Sequence, residues 1–160
     1  MIQLKLTVNN KIHELEVEPH AVLADVLKKK LGLIGVRVSC GEGECGACTI
    51  LMDGKPVLAC MMLAMQAEGK EILTIEGLGT YDCLHPIQEA FVEEHGFQCG
   101  FCTPGIILST KDLLETKPES SPSEIAMSLS GHICRCGAYP KIIKSVQKAA
   151  KKMEENHGEK

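Results

Sequence analysis

The chain has no tryptophan, two tyrosines and three phenylalanines among its 160 residues. So few rings leave little for base stacking, and a net charge of −4 offers no broad basic face to phosphate backbones, so no nucleic acid partner is expected. A long apolar run is also missing. The amino terminus, MIQLKLTVNNKIHELEV, alternates apolar and polar residues without a basic leader, which predicts no membrane span and a cytoplasmic protein. The six histidines form neither a C-x-H Rieske pairing nor an H-x3-H zinc face. His85, His95 and His132 are therefore expected at the surface or as helix caps.

Cysteine is present in quantity. Nine cysteines in a cytoplasmic chain point to metal or redox chemistry, because cellular thiol systems keep ordinary cysteines reduced. Apolar residues make up 44% of the chain, enough to build real cores in one ordinary domain or two small ones.

Ile2, Leu4, Leu6 and Val8 recur with period two, Asn9-Asn10 reads as a tight turn, and His13 to Val17 supplies a second strand. From Ala21 to Leu31 the spacing turns helical, with Gly32 placed to end the helix. Thr49 to Met52 and Pro56 to Ala59 flank Asp53-Gly54 as a hairpin, and Glu71 to Ile75 adds a short strand. Residues 1–76 thus read as a small mixed sheet with one helix, and 77–82, around Gly77 and Gly79, as a connector. Beyond it the chain reads as all-helical over 83–153, with helices at His85 to His95, Pro104 to Thr116, Ser121 to Ser130 and Tyr139 to Met153. Residues 154–160 close the chain as a solvated tail.

Cys40, Cys45, Cys48 and Cys60 have the spacing C-x4-C-x2-C-x11-C, whose first three members match the plant-type ferredoxin pattern. A 2Fe-2S cluster takes four thiolates and attracts backbone N–H groups to its sulfurs. Gly41, Gly43 and Gly46 suit a loop wrapped round such a cluster, where positive φ and close backbone approach are needed. The same glycines spell G-x-G-x-x-G, but a dinucleotide loop must lead directly into a helix, whereas strand-like TILM follows, and Glu42 and Glu44 would repel phosphate. Zinc also accepts four thiolates, though its structural sites usually use two close-spaced knuckles.

A second set comprises Cys99 and Cys102 in QCGFCTPG and Cys134 and Cys136 in CRCGAY, thirty-one residues further on. Each pair precedes an expected helix, whose N-terminus would face an anionic cluster. By spacing alone this set suits zinc or an iron-sulfur cluster.

The combination of C-x4-C-x2-C-x11-C with CGACT, then QCGFCTPG, then CRC-x-x-Y, resembles the iron-sulfur subunits of the molybdenum hydroxylases, the xanthine oxidase family, over residues 3 to 150. The resemblance implies an α+β chain: an N-terminal plant-ferredoxin-like β-grasp domain followed by an all-α helical-bundle 2Fe-2S domain. It further implies two 2Fe-2S clusters, a large partner subunit carrying molybdopterin cytosine dinucleotide, a medium partner subunit carrying FAD, and an assembly such as a dimer of heterotrimers. Electrons would pass from molybdenum to the cluster of Cys99, Cys102, Cys134 and Cys136, then to that of Cys40, Cys45, Cys48 and Cys60, then to flavin. Gln98 matches the glutamine that bonds the pterin, and Cys136 the ligand nearest to it. The chain departs from the family pattern at Ser39, where many relatives have Gly, and in CRCGAY, where CRCTGY is commoner.

The alternatives are a free two-cluster ferredoxin-like carrier and a zinc-stabilised interaction module. Cys83 is expected as a small apolar residue between domains, and Met61, Met62 and Met65 as core packing.

Overall fold

The computed structural model describes the backbone of residues 1–158. Strand β1 (Ile2–Val8) pairs antiparallel with β2 (Lys11–Val17) through Asn9 and Asn10, whose φ values of 51° and 62° make the two-residue turn that matches strand twist. Leu4, Leu6 and Val8 point inward from β1, as their period requires. A second hairpin, β3 (Thr49–Met52) and β4 (Lys55–Leu58), turns at Asp53 (φ 48°) and Gly54 (φ 78°). The short β5 (Glu71–Leu73) joins the hairpins: it runs parallel to β1 and antiparallel to β3, giving the order β2-β1-β5-β3-β4.

Helix α1 (Leu23–Asp25) continues as a π-helical turn over Val26–Lys30, closed by a bond from the Leu31 N–H to the Val26 carbonyl. Gly32 ends it at φ 71°. Leu23 and Leu27 are fully buried against the sheet. Burying each such side chain is worth about 1.5–3 kcal/mol, which holds this helix of marginal length in place.

The strand expected through Ile75 stops at Leu73, and a short helix α2 (Ile75–Leu78) runs into the connector expected at 77–82, its Ile75 and Leu78 packing on the second core. That core lies among α3 (Pro86–Glu93), α4 (Thr103–Thr116), α5 (Pro122–Ser128) and α6 (Tyr139–Gly158), centred on Ile87, Phe91, Ile106, Ile125, Ile142 and Val146. Lys148 bridges Glu93 and Glu94 while Lys152 bridges Glu89 and Glu93, fastening α6 to α3. Helix α6 runs past Met153 through most of the segment expected as a tail, because its Lys and Glu residues are good helix formers; residues 159–160 lie outside the described residues.

Helix α4 ties the two cores together. Six consecutive residues, Gly105 to Thr110, are buried, because the helix packs on α3 and α5 and also lies across β3 and β4. Among the described residues no helix is long and apolar enough to cross a membrane.

Candidate iron-sulfur centres

The first cysteine set is assembled by a loop and a hairpin. Gly41, Gly43 and Gly46 all adopt positive φ, at 70°, 82° and 72°. This curls the loop so that the Glu42 N–H donates to Cys40 Sγ at 3.4 Å. That bond, the contact with Cys45 and the neighbouring amides together hold the Cys40 thiol down to about 6. Cys48 immediately precedes β3 and Cys60 closely follows β4. The hairpin register pairing Thr49 with Leu58 therefore sets the two cysteines side by side, with the Ala59 N–H donating to the Cys48 carbonyl at 3.3 Å. Burial pushes the Cys48 thiol up to about 11, with Cys60 beside it.

The second set is built from helix starts. Cys102 caps α4, and Cys99 reaches the site through a turn at Gly100 (φ 76°). Cys134 and Cys136 lie in the turn before α6, closed by the Gly137 N–H on the Cys134 carbonyl at 3.2 Å. Cys99 contacts Cys136 and Cys102 contacts Cys134. The Phe101 N–H and Cys136 draw the Cys99 thiol down, whereas burial pushes Cys102 up to about 12. Cys45, Cys99, Cys102 and Cys134 share the lining of a cavity of about 540 Å³ with Ser39, Phe101 and Ile133.

In each set the thiols fall into two contacting pairs: Cys40 with Cys45 and Cys48 with Cys60, Cys99 with Cys136 and Cys102 with Cys134. A 2Fe-2S cluster needs this arrangement, since each iron takes two thiolates and completes its shell with bridging sulfide. All-sulfur donors, paired thiols and positive-φ loops that turn N–H groups toward sulfur fit two such clusters. All eight cysteines selected from the sequence lie in these sets.

The two sites touch. A Cβ on Gly46 would stand 2.6 Å from the Gly131 carbonyl oxygen, and one on Gly105 would stand 2.6 Å from the Gly46 oxygen. Only glycines permit that approach. The Ile133 N–H donates to the Cys45 carbonyl at 3.0 Å, so one hydrogen bond joins a cysteine of the first set to the residue next to Cys134.

Gln98 is exposed beside the second set, and its Nε2 donates to the Cys136 carbonyl at 3.2 Å. His85 caps α3, its Nδ1 accepting from the Ile87 N–H at 3.2 Å, and His95 is exposed. His132 departs from the expected surface or cap position: it is only 7% exposed, paired through Nε2 with Ser109 Oγ at 2.8 Å and wedged against Gly46. It is buried because α4 and the first loop close over the turn that carries it. Met61 and Met65 are exposed while Met62 packs on the core, because the 3₁₀ turns at Ala59–Met61 and Ala64–Ala67 turn Ala59, Ala64 and Ala67 inward instead. Cys83 is also exposed, its N–H bonded to Thr80 Oγ1. Tyr139, the last residue of CRC-x-x-Y, also joins the site. Its hydroxyl accepts from the Cys134 N–H at 2.8 Å and donates to the His132 carbonyl at 3.2 Å.

Residues 6–74 match the 2Fe-2S iron-sulfur cluster binding domain model, and residues 74–147 match the [2Fe-2S] binding domain model. The aldehyde oxidoreductase iron-sulfur-binding subunit PaoA of Escherichia coli (strain K12) is 43% identical, covering 94% of this chain and 72% of that protein. Quinoline 2-oxidoreductase from Pseudomonas putida 86 is similar in structure, with TM-score 0.91, 38% identity and 96% of each chain covered. The aldehyde oxidoreductase of Desulfovibrio desulfuricans matches with TM-score 0.92 and 41% identity over 96% of this chain, which spans 17% of that longer one. Two thiol sets built for 2Fe-2S clusters, each in a region matching a cluster-binding model, and these likenesses over nearly the full length show that the chain belongs to the iron-sulfur subunits of the molybdenum hydroxylase family, as an electron-transfer component with two 2Fe-2S clusters.

Proposed function

We propose that the chain relays electrons between a large subunit carrying molybdopterin, as the cytosine dinucleotide, and a medium subunit carrying FAD, in a cytoplasmic oxidoreductase that hydroxylates or dehydrogenates an aldehyde, a heterocycle or a related substrate. Residues 1–76 form the plant-ferredoxin-like β-grasp domain and residues 83–153 the helical-bundle domain. Cys40, Cys45, Cys48 and Cys60 hold the first cluster, and Cys99, Cys102, Cys134 and Cys136 the second. When bound, each cluster takes up and releases one electron.

The observation that carries this reading is the contact between two paired-thiol sites, joined by the Ile133 to Cys45 hydrogen bond. A relay needs its centres close and rigidly spaced, and here the spacing is held by glycines that admit no side chain. Gln98 supports placing the second site on the molybdenum side. With one N–H on the Cys136 carbonyl, its amide oxygen and remaining N–H are left to accept from and donate to a pterin edge. The first site then serves the flavin side. Three such chains, one of each kind, suit a heterotrimer that pairs into a dimer.

Metal analysis and purification from the native host test the proposal together. The reading requires about four iron and four sulfide per chain with two distinct 2Fe-2S EPR signals on reduction, and co-purifying molybdenum and flavin chains. Stoichiometric zinc without sulfide overturns the cluster assignment, and two clusters in a chain that purifies alone overturn the relay between subunits.

A further inference from the structure

The segment Val36–Ser39, leading into the first cysteine loop, alternates between two destinations. Val36 and Val38 pack into the core under the sheet. Arg37 and Ser39 face the other way, toward the second site: the Arg37 guanidinium lies 5.8 Å from the Phe101 ring centroid, and Ser39 lines the cavity with Cys99, Cys102 and Cys134. Phe101 stands between Cys99 and Cys102 in sequence, so the first loop delivers a cation to the second cysteine turn.

Arg37 is half-buried, its Nε is enclosed without a hydrogen-bond partner, and it takes part in none of the ion pairs among the described residues. A partly desolvated cation without a carboxylate is costly unless another anion faces it. The cation-π contact with Phe101 offsets part of that cost and fixes the guanidinium in place. Arg135 also lines that cavity, but it is exposed, where solvent screens its charge.

We propose that Arg37 is a positioning and tuning residue for the second cluster, a fixed positive charge lent by the first loop that favours the cluster's reduced state. The second cluster is anionic when oxidised and gains another negative charge on reduction, so a nearby cation stabilises the reduced form more. This rests on the two-cluster reading above.

The test is an EPR-monitored redox titration of the whole enzyme as it assembles in its host, the second signal being identified as the one lost in Cys102→Ser. At the potential where the unmodified second cluster is half reduced, Arg37→Met should lower its reduced-to-oxidised ratio by roughly threefold or more. Arg37→Lys, which keeps the charge, should stay closer to the unmodified value, and the first cluster should hold its midpoint in both. If Arg37→Met impairs assembly, Arg37→Gln against Arg37→Lys makes the same comparison. A ratio unchanged with both signals present overturns the role of Arg37, as does an equal shift in both clusters. Absence of a second 2Fe-2S signal from the unmodified protein would instead refute the two-cluster reading.

Discussion

Gly46 and Gly69 share a φ of 72° but have different surroundings: a Cβ on Gly69 meets nothing within 4 Å, whereas one on Gly46 meets the Gly131 oxygen and His132 Nδ1, both at 2.6 Å. Substituting alanine at each separates conformational strain from packing. Gly69→Ala incurs only the left-handed penalty, about 1–2 kcal/mol. Gly46→Ala incurs that penalty and must also displace the turn at 131–132, an overpacking cost of about 1–3 kcal/mol. Because one neighbour is a backbone oxygen, no side-chain rearrangement relieves the clash. For a chain of this size each kcal/mol shifts Tm by about 2–4 °C, so Gly46→Ala should melt roughly 2–12 °C below Gly69→Ala at the same scan rate. The displaced turn carries Ile133, so its amide hydrogen, bonded to the Cys45 carbonyl at 3.0 Å, should exchange faster in Gly46→Ala and unchanged in Gly69→Ala. Equal melting temperatures with equal Ile133 protection would refute the claim that this contact sets the spacing of the two sites.

Tyr139→Phe removes the acceptor of the Cys134 N–H and the donor to the His132 carbonyl, costing about 1–3 kcal/mol, and should broaden the second EPR signal while leaving the first intact. Cys102→Ser should halve the metal, from about four iron to about two per chain, with loss of one EPR signal only; loss of both would show that the sites do not form separately. Burial holds His132 down from 6.5 to about 4, so below 6.5 the unfolded chain binds a proton that the folded chain refuses. The stability from neutral His132 is therefore fully present above pH 6.5 and drains as pH falls toward 4. His132→Gln, which can still bond Ser109, should flatten the Tm profile across that window, and an unaltered slope would sink the assignment.

Local chemistry explains why much of this was legible in the chain. The first hairpin announces itself by alternation in β1 and an Asn-Asn turn, the second by its Asp-Gly turn, and three of the four later helices by Pro86, Pro104, Pro122 and the Ser121 to Glu124 capping box. Thiol spacing did the same for the first cysteine set, because a loop that folds back on a cluster must place its ligands at short, particular separations, whereas the second set, split by thirty-one residues, was assigned a cluster through the family resemblance. The parallel pairing of β1 with β5 was not legible, since nothing local links Val8 to Ile72, nor was the π turn after Asp25.

Sequence by itself determined which residues are chemically equipped: eight cysteines in two fours, the glycines able to wrap them, and Gln98 beside the second four. Tertiary structure decided how those parts face each other: which thiols pair, that Gly46 and Gly105 let two loops meet, that His132 is buried between them, and that Arg37, belonging to the first loop, lies over the second. The reason is physical. Ligand type and turn chemistry depend on a residue and its near neighbours, while burial, close approach and the placing of an unpartnered charge depend on segments brought together only when the cores on either side of α4 close.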